Sequence, residues 1–453
     1  MLDSRVKLRL EAMRRLMRKG AVANLRRIVE RTHAADLAAI YGDMNDLEQG
    51  RFFQVLKQSD LVGEVIAHMD PVNQQELVEV LSPEEVAHII VEMDSDDAAD
   101  ILNLLTEEIR DDVLTAMKRE DSEDIEKLLD YPEDSAGGLM TTSFFALPEG
   151  MNAKEAVEAI QGDEDAETAF YLYVVDEAEH LAGVVSLRKL ITSSPATKLR
   201  SIMSTDVINV DVNTDQEQVA RLVSKYDLLA IPVVDEEKKL VGIITVDDVL
   251  DVLREEATED IYKMAGTSQE ELLHGNRVMP IFRIRIPWLA VNLVGGVLTG
   301  TILWWFRATV EEIIALLSFV PVITGMGGNV GTQTSSILVR AFATGRVDFD
   351  SLPSHLWKEV RVGFLLGIVC GAMVGLAALI WHNDPYLGVV VAVSMMAAMT
   401  VAAIMGTLTP ALFRKLKIDP AVASGPFVTT ANDITGIFIY LAAATLMLKF
   451  IKH

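Results

Sequence analysis

Residues 362–381 read VGFLLGIVCGAMVGLAALIW, twenty positions without a charge. As a helix they extend about 30 Å, the thickness of the hydrocarbon core of a bilayer. Four further apolar stretches share the C-terminal third: Ile286–Phe306, Ile313–Val339, Leu387–Phe413 and Pro426–Leu448. Only the last carries a charge, Asp433. The sequence therefore predicts five membrane helices within residues 281–453. Basic residues set their orientation. Arg283 and Arg285 precede the first span, Arg340, Arg346, Lys358 and Arg361 surround the second-to-third loop, and Arg414, Lys415 and Lys417 fill the fourth-to-fifth. The opposite loops hold Arg307 with Glu311 and Glu312, and His382, Asn383 and Asp384. The basic loops share the N-terminal side, which places that side in the cytosol. Lys449 and Lys452 run mildly against this.

The part before the membrane is its electrostatic opposite. Residues 1–282 carry 58 acids and 28 bases, a net of −30, and residues 283–453 carry 8 and 12, a net of +4, which together give −26. So acidic a half repels nucleic acid and anionic lipid and attracts cations. Nucleic acid is thereby set aside as a partner, although a solubilising surface is the commoner meaning of such a balance. The one cysteine, Cys370, permits no disulfide within the chain and no cysteine-based zinc site. Segment 5–31 is basic and amphipathic and lacks the apolar core of a signal peptide.

Residues 1–135 predict short helices. HMDPVNQQELVEVL (68–81) and EMDSDDAADILNLL (92–105) form a weak repeat. Asp70-Pro71 and Ser82-Pro83-Glu84-Glu85 carry helix-start signals. Stacked helix pairs, a small right-handed solenoid, are expected. Over 136–253 the period changes. YVVD (173–176) and PVVD (232–235) stand 59 residues apart, GVVSLRKL (183–190) and GIITVDDV (242–249) repeat at that offset, and LMTT (139–142) and IMST (202–205) open each copy. These predict two strand-and-helix modules, 136–200 and 201–253.

The paired modules resemble tandem CBS domains. With an acidic helical domain before them and five spans after them, the order of parts resembles the MgtE family of magnesium channels and transporters. GMGGNVGTQTS (325–335) and DPAVASGPFVTTANDITG (419–436) are similar to that family's membrane signatures. The expected fold is thus multidomain: an all-α superhelical N domain, a tandem CBS α/β pair, a connecting or plug helix within 254–280, and an α-helical membrane domain of five spans. The implied function is Mg2+ uptake across a bacterial cytoplasmic membrane by a homodimer that serves magnesium homeostasis. A CBS-regulated transporter of Co2+, Ni2+ or Mn2+ is the alternative, since oxygen sites discriminate poorly among these ions.

Asp433 lies about 7 residues into its span, roughly 10 Å by helical rise. A carboxylate there is costly unless it faces water or a partner; snorkelling to the interface and capping a broken helix are the other readings. The resemblance implies a pore aspartate at this position. In a dimer, two copies would hold a hydrated Mg2+ through its water shell. Asn329 and Asn432 are weaker pore candidates. The glycines at 325, 327, 328 and 331 fit either broken helix or close packing.

Acids gather elsewhere as well: Glu92, Asp94, Asp96, Asp97 and Asp100; Asp211, Asp215, Glu217 and Asp227; and Asp247, Asp248 and Asp251 running into Glu255, Glu256, Glu259 and Asp260. Positions 248, 251, 255, 256 and 259 share a broad helical face. Like charges so spaced destabilise a helix unless cations relieve them. By position, the resemblance implies regulatory Mg2+ ligands at Glu92, Asp96, Asp215, Glu217, Asp227, Asp248, Asp251, Glu256, Glu259 and Asp260. Mg2+ there would hold a closed state, and the connecting helix, about 254–276, would move when Mg2+ leaves. CBS pairs also bind adenosine nucleotides. The cue of a Ser or Thr followed three residues later by Asp occurs as Thr245 and Asp248. In the first copy Ser186 is followed by Lys189, so there Arg188 and Lys189 become candidate phosphate contacts. ATP is an expected modulator, and Asp248 is claimed by both readings. No nucleophile–base pair or phosphate-cradling glycine loop marks an enzyme, and the eight histidines are scattered.

Overall fold

The computed structural model describes residues 4–162, 171–273 and 277–451. The chain divides into two compact units, Met1–Leu253 and Arg254–His453.

The first unit opens with short helices running from Ser4–Arg18 to Arg119–Leu129. Their starts follow the sequence signals. Asp70 accepts the Val72 amide at 2.8 Å ahead of Pro71, and Ser82 and Glu85 form a reciprocal capping box. Each helix is too short to stand alone, so stability comes from its buried stripe. Phe52, Leu56, Ile66, Ile90 and Leu102 are fully buried. They belong to one core with Val219, Ile244 and Val249 of the second strand-and-helix module.

Each module is a three-stranded sheet: β1 (Ala146–Pro148), β2 (Tyr171–Val175) and β3 (Leu181–Ser186), then β4 (Val210–Asp211), β5 (Ala230–Val234) and β6 (Leu240–Thr245). In both, the first two strands pair parallel and the last two antiparallel. The opening segments are exchanged. Thr141 of the first copy bridges to Ile243 of β6, and Ser204 of the second bridges to Val184 of β3. Only glycine fits where each segment crosses. A Cβ at Gly183 would lie 2.8 Å from the Met203 sulfur, and one at Gly242 would lie 2.6 Å from that of Met140.

Helix Val246–Ala265 leaves β6 and runs on without a break. The connecting segment is therefore not one helix over about 254–276. It ends at Gly266, whose φ of +76° suits a helix terminus, and a separate turn of helix, Glu270–Leu273, follows.

Among the described residues, five helices of the second unit are long and apolar enough to span a membrane: Val278–Trp305, Ile314–Ala343 (opening as 3-10 helix), Leu352–His382, Pro385–Lys415 and Pro420–Met447. Residues 325–331 lie in unbroken helix, so their glycines mark no break in the second span. The fifth span is interrupted at Gly425, between Pro420–Ser424 and Pro426–Ile451. The third and fourth spans meet backbone to backbone. A Cβ at Gly367 would lie 2.7 Å from Met396 Cα, one at Gly371 2.5 Å from Ala392 O, and one at Gly375 2.7 Å from Gly388 O. Small residues every fourth position permit this approach in lipid.

Candidate functional site

Two helix starts build an acidic site in the first unit. Asp94, Asp96 and Asp97 open helix Ser95–Asn103, and Asp247, Asp248 and Asp251 open Val246–Ala265. Residues 141–142 hold the two together. The Thr142 amide donates to Ser95 Oγ at 2.9 Å, while Thr141 pairs with Ile243, just before Thr245. The carboxylates then crowd. Burial pushes Asp96 up to about 9, and the charges of Asp248, Asp97 and Asp94 add to it. Burial raises Asp97 to about 7, with Asp248, Asp94, Asp247 and Asp251 adding. Asp248 rises to about 6, chiefly by burial, although the Thr245 hydroxyl and its amide at 3.2 Å hold it back. Asp96 Oδ1 is buried with no hydrogen-bond partner among the described residues.

Such a group must take a proton or a cation. The donors are all carboxylate oxygens, the chemistry of a hard divalent ion. The residues therefore fit Mg2+.

This site unites Asp96, Asp248 and Asp251 of the expected set, and Asp94, Asp97 and Asp247 join them. Glu92 is exposed in the preceding turn. Asp215, Glu217 and Asp227 do not form one group. Asp215 caps helix Gln216–Tyr226 through the Glu217 amide at 3.0 Å, and Glu217 pairs with Arg221 at 2.6 Å. Asp227 closes the far end at φ +51°, about 18 Å from Asp215 by helical rise. Among the nucleotide candidates, Ser186 Oγ caps its helix through Lys189 N at 3.3 Å and Arg188 is exposed. Thr245 is buried and gives its hydroxyl to Asp248.

The second unit holds the other features. Lys263 bridges Glu259 at 2.6 Å and Asp419 at 2.7 Å. Burial works to lower the Lys263 amine, but hydrogen bonds to Asp419 and Glu259 outweigh it, and the amine sits above its usual range. Asp419 also caps Pro420–Ser424 through the Ala421 amide at 2.8 Å. A Cβ at Gly425 would lie 2.7 Å from Met264 O. The end of the connecting helix is thus seated on the break in the fifth span, about two helical turns before Asp433. Glu256 and Asp260 lie on that same helix.

Asp433 is half-buried. Its neighbour Asn432 is packed between the second and fifth spans. It is 1% exposed, its Nδ2 donates to Gly327 O at 3.4 Å, and it occupies the space where Gly331 lacks a side chain. Asn329 is exposed on the second span. Sequence reasoning missed Asp419, which lies inside a quoted motif, and Glu359. The third helix begins at Leu352 and buries Glu359 to 5% exposure, with Lys358 at 3.1 Å and the Thr334 hydroxyl at 3.4 Å.

Comparison with known proteins agrees with this organisation. Residues 320–443 match MgtE, described as a divalent cation transporter; residues 32–134 match the MgtE intracellular N domain; residues 136–195 and 199–255 match the CBS domain. The chain is 42% identical to the magnesium transporter MgtE of Thermus thermophilus over 326 residues, 72% of each chain. It is 34% identical to that of Bacillus subtilis over 431 residues, 95% of each. Of solved structures, the cytosolic domain of the Mg2+ channel MgtE in complex with ATP aligns with a TM-score of 0.51 at 38% identity, covering 54% of this chain and 99% of that one. The soluble part of a magnesium transporter aligns at 0.52 and 29%, covering 56% and 99%.

Proposed function

Since the chain belongs to the MgtE family of divalent cation transporters, we propose that it carries Mg2+ into a bacterial cell across the cytoplasmic membrane and is closed by Mg2+ on its own cytosolic acids. The observation that carries the gating reading is the desolvated cluster around Asp96, whose buried Oδ1 lacks a partner among the described residues. When Mg2+ is plentiful it neutralises Asp94, Asp96, Asp97 and Asp248 and holds the N domain on the second CBS module. When it is scarce, repulsion parts the two helix starts. Helix Val246–Ala265 is continuous from that site to Lys263, so a shift at its start is delivered to the clasp with Asp419 and to the entry of the fifth span.

Asp433 is the group that meets the permeating ion. In a homodimer its two copies flank one axis and bind hydrated Mg2+, which sheds its water reluctantly. Mg2+ is the substrate here as well as the regulator. ATP acts as a modulator at the CBS pair, with Ser186, Arg188, Thr245 and Asp248 as its contacts. The relative solved with ATP supports this. Because Asp248 serves both ligands, nucleotide and Mg2+ responses are linked.

The test is flux into proteoliposomes with Mg2+ varied on the side of the cytosolic domains. The proposal expects flux to fall as that Mg2+ rises, and to vanish in Asp433→Ala. Flux indifferent to it retains transport and refutes the gate. Transport of Co2+, Ni2+ or Mn2+ but not Mg2+ reassigns the substrate.

A further inference from the structure

Two of the scattered histidines meet on the helical domain. His33 is the residue before helix Ala34–Gly42, and Glu64 and His68 lie four apart on helix Val62–Ala67 and its C-terminal cap. One ligand atom from each of the three lies within 4.8 Å of the others. The two imidazoles stack at 6.3 Å between centroids and 15° between planes. On the same two helices Leu37, Val65 and Ile66 are fully buried, so packing fixes the backbone that presents the three side chains.

We propose that His33, Glu64 and His68 form a site for a borderline divalent transition metal, Zn2+ foremost, on the cytosolic N domain. Two imidazoles and a carboxylate suit Zn2+, Co2+ or Ni2+, whereas Mg2+ prefers oxygen and water. The set supplies three protein ligands and leaves a position for water. Metal bonds of about 2.0–2.2 Å draw such donors to about 3.3 Å apart, which small side-chain rotations achieve from here. The site is chemically separate from the all-carboxylate cluster. His33 Nδ1 accepts the Ala35 amide at 3.3 Å. A metal on Nδ1 displaces that long bond, and a metal on Nε2 leaves Nδ1 protonated and unable to accept. Either way one capping bond is exchanged for a clip joining the start of one helix to the end of another. Binding to the folded form alone stabilises the domain. The magnesium regulatory domain thereby gains a second input, read by nitrogen donors.

The experiment uses full-length protein in detergent, prepared without a polyhistidine tag, with millimolar Mg2+ present to fill the oxygen sites. Zn2+ is titrated by calorimetry and Co2+ by its visible absorption. His33→Asn keeps a capping oxygen and removes the imidazole; His68→Gln removes the other; melting in EDTA verifies that both fold. The expected result is one Zn2+ per chain in the presence of Mg2+, weakened at least about tenfold in each variant and unaffected in Asp96→Asn. No Zn2+ bound under these conditions overturns the proposal. So does undiminished binding by both histidine variants, or loss in Asp96→Asn instead, which puts the metal in the acidic cluster.

Discussion

Replacing Asp96 by asparagine tests the acidic site with almost no change in shape. In the packed form this carboxyl titrates at about 9 against an ordinary 3.8. The sign follows. The packed form binds the proton more tightly than the open one, so its stability falls as pH rises from near 4 toward 9. At pH 7 without divalent ions, packing must leave the group protonated about three pH units above its ordinary value. At about 1.36 kcal/mol per unit this costs at most about 4 kcal/mol, because neighbouring charges and water relax. The amide variant escapes that cost. Hydrogen exchange of peptides covering 95–103 and 246–253, in EDTA at pH 7, reads the opening equilibrium directly. Exchange at least about tenfold slower in Asp96→Asn than in the parent is expected, together with a smaller further slowing on adding Mg2+. If Asp96→Asn exchanges as fast as the parent in EDTA, and Mg2+ protects both equally, the carboxylate is neither the repulsive element nor an ion ligand, and the gating account fails.

Other expectations follow from the same geometry. In EDTA the parent's protection factors, corrected for the intrinsic pH dependence of exchange, should rise as pH falls from about 9 toward 6, as Asp96, Asp97 and then Asp248 take protons in place of Mg2+; protection that falls over this range contradicts the raised values. Asp433→Asn keeps size but loses the charge, so Mg2+ flux should drop at least about tenfold while protein level and melting hold; unchanged flux removes Asp433 from the pore. Lys263→Met unfastens Glu259 and Asp419, and Gly425→Val forces a side chain against Met264 O; both should leave flux less sensitive to cytosolic-side Mg2+, and full inhibition in both denies the clasp a role. Gly367→Leu drives a side chain into Met396 and should destabilise the membrane unit by about 1–3 kcal/mol, seen as a lower melting temperature in detergent.

The five spans are legible in the sequence because lipid accepts little except long apolar helices. Their ends are less so. The third begins at Leu352 rather than near Val362, since its first turns carry Lys358, Glu359 and Arg361, and a charged helix end at the interface leaves no apolar signal. Two strand-and-helix modules follow from the 59-residue offset, but a repeat does not say whose sheet its first segment joins. The acidic site is legible in kind and only partly in membership. Asp94 and Asp97 stand beside Asp96 in the sequence, yet their value depends on a meeting with 247–251, some 150 residues on. Asp215 and Asp227 look equally acidic and instead cap two ends of one helix. His33 and His68 are brought together only by the stacking of short helices, which no spacing rule anticipates.

The exchanged opening segments of the paired modules make each module depend on the other. A lone copy would hold an arm, LMTT or IMST, whose pairing surface belongs to a different copy, together with a glycine notch waiting for someone else's methionine. Cutting the chain between residues 200 and 201 would take from each module the segment that pairs with its last strand and the methionine that fills its glycine notch.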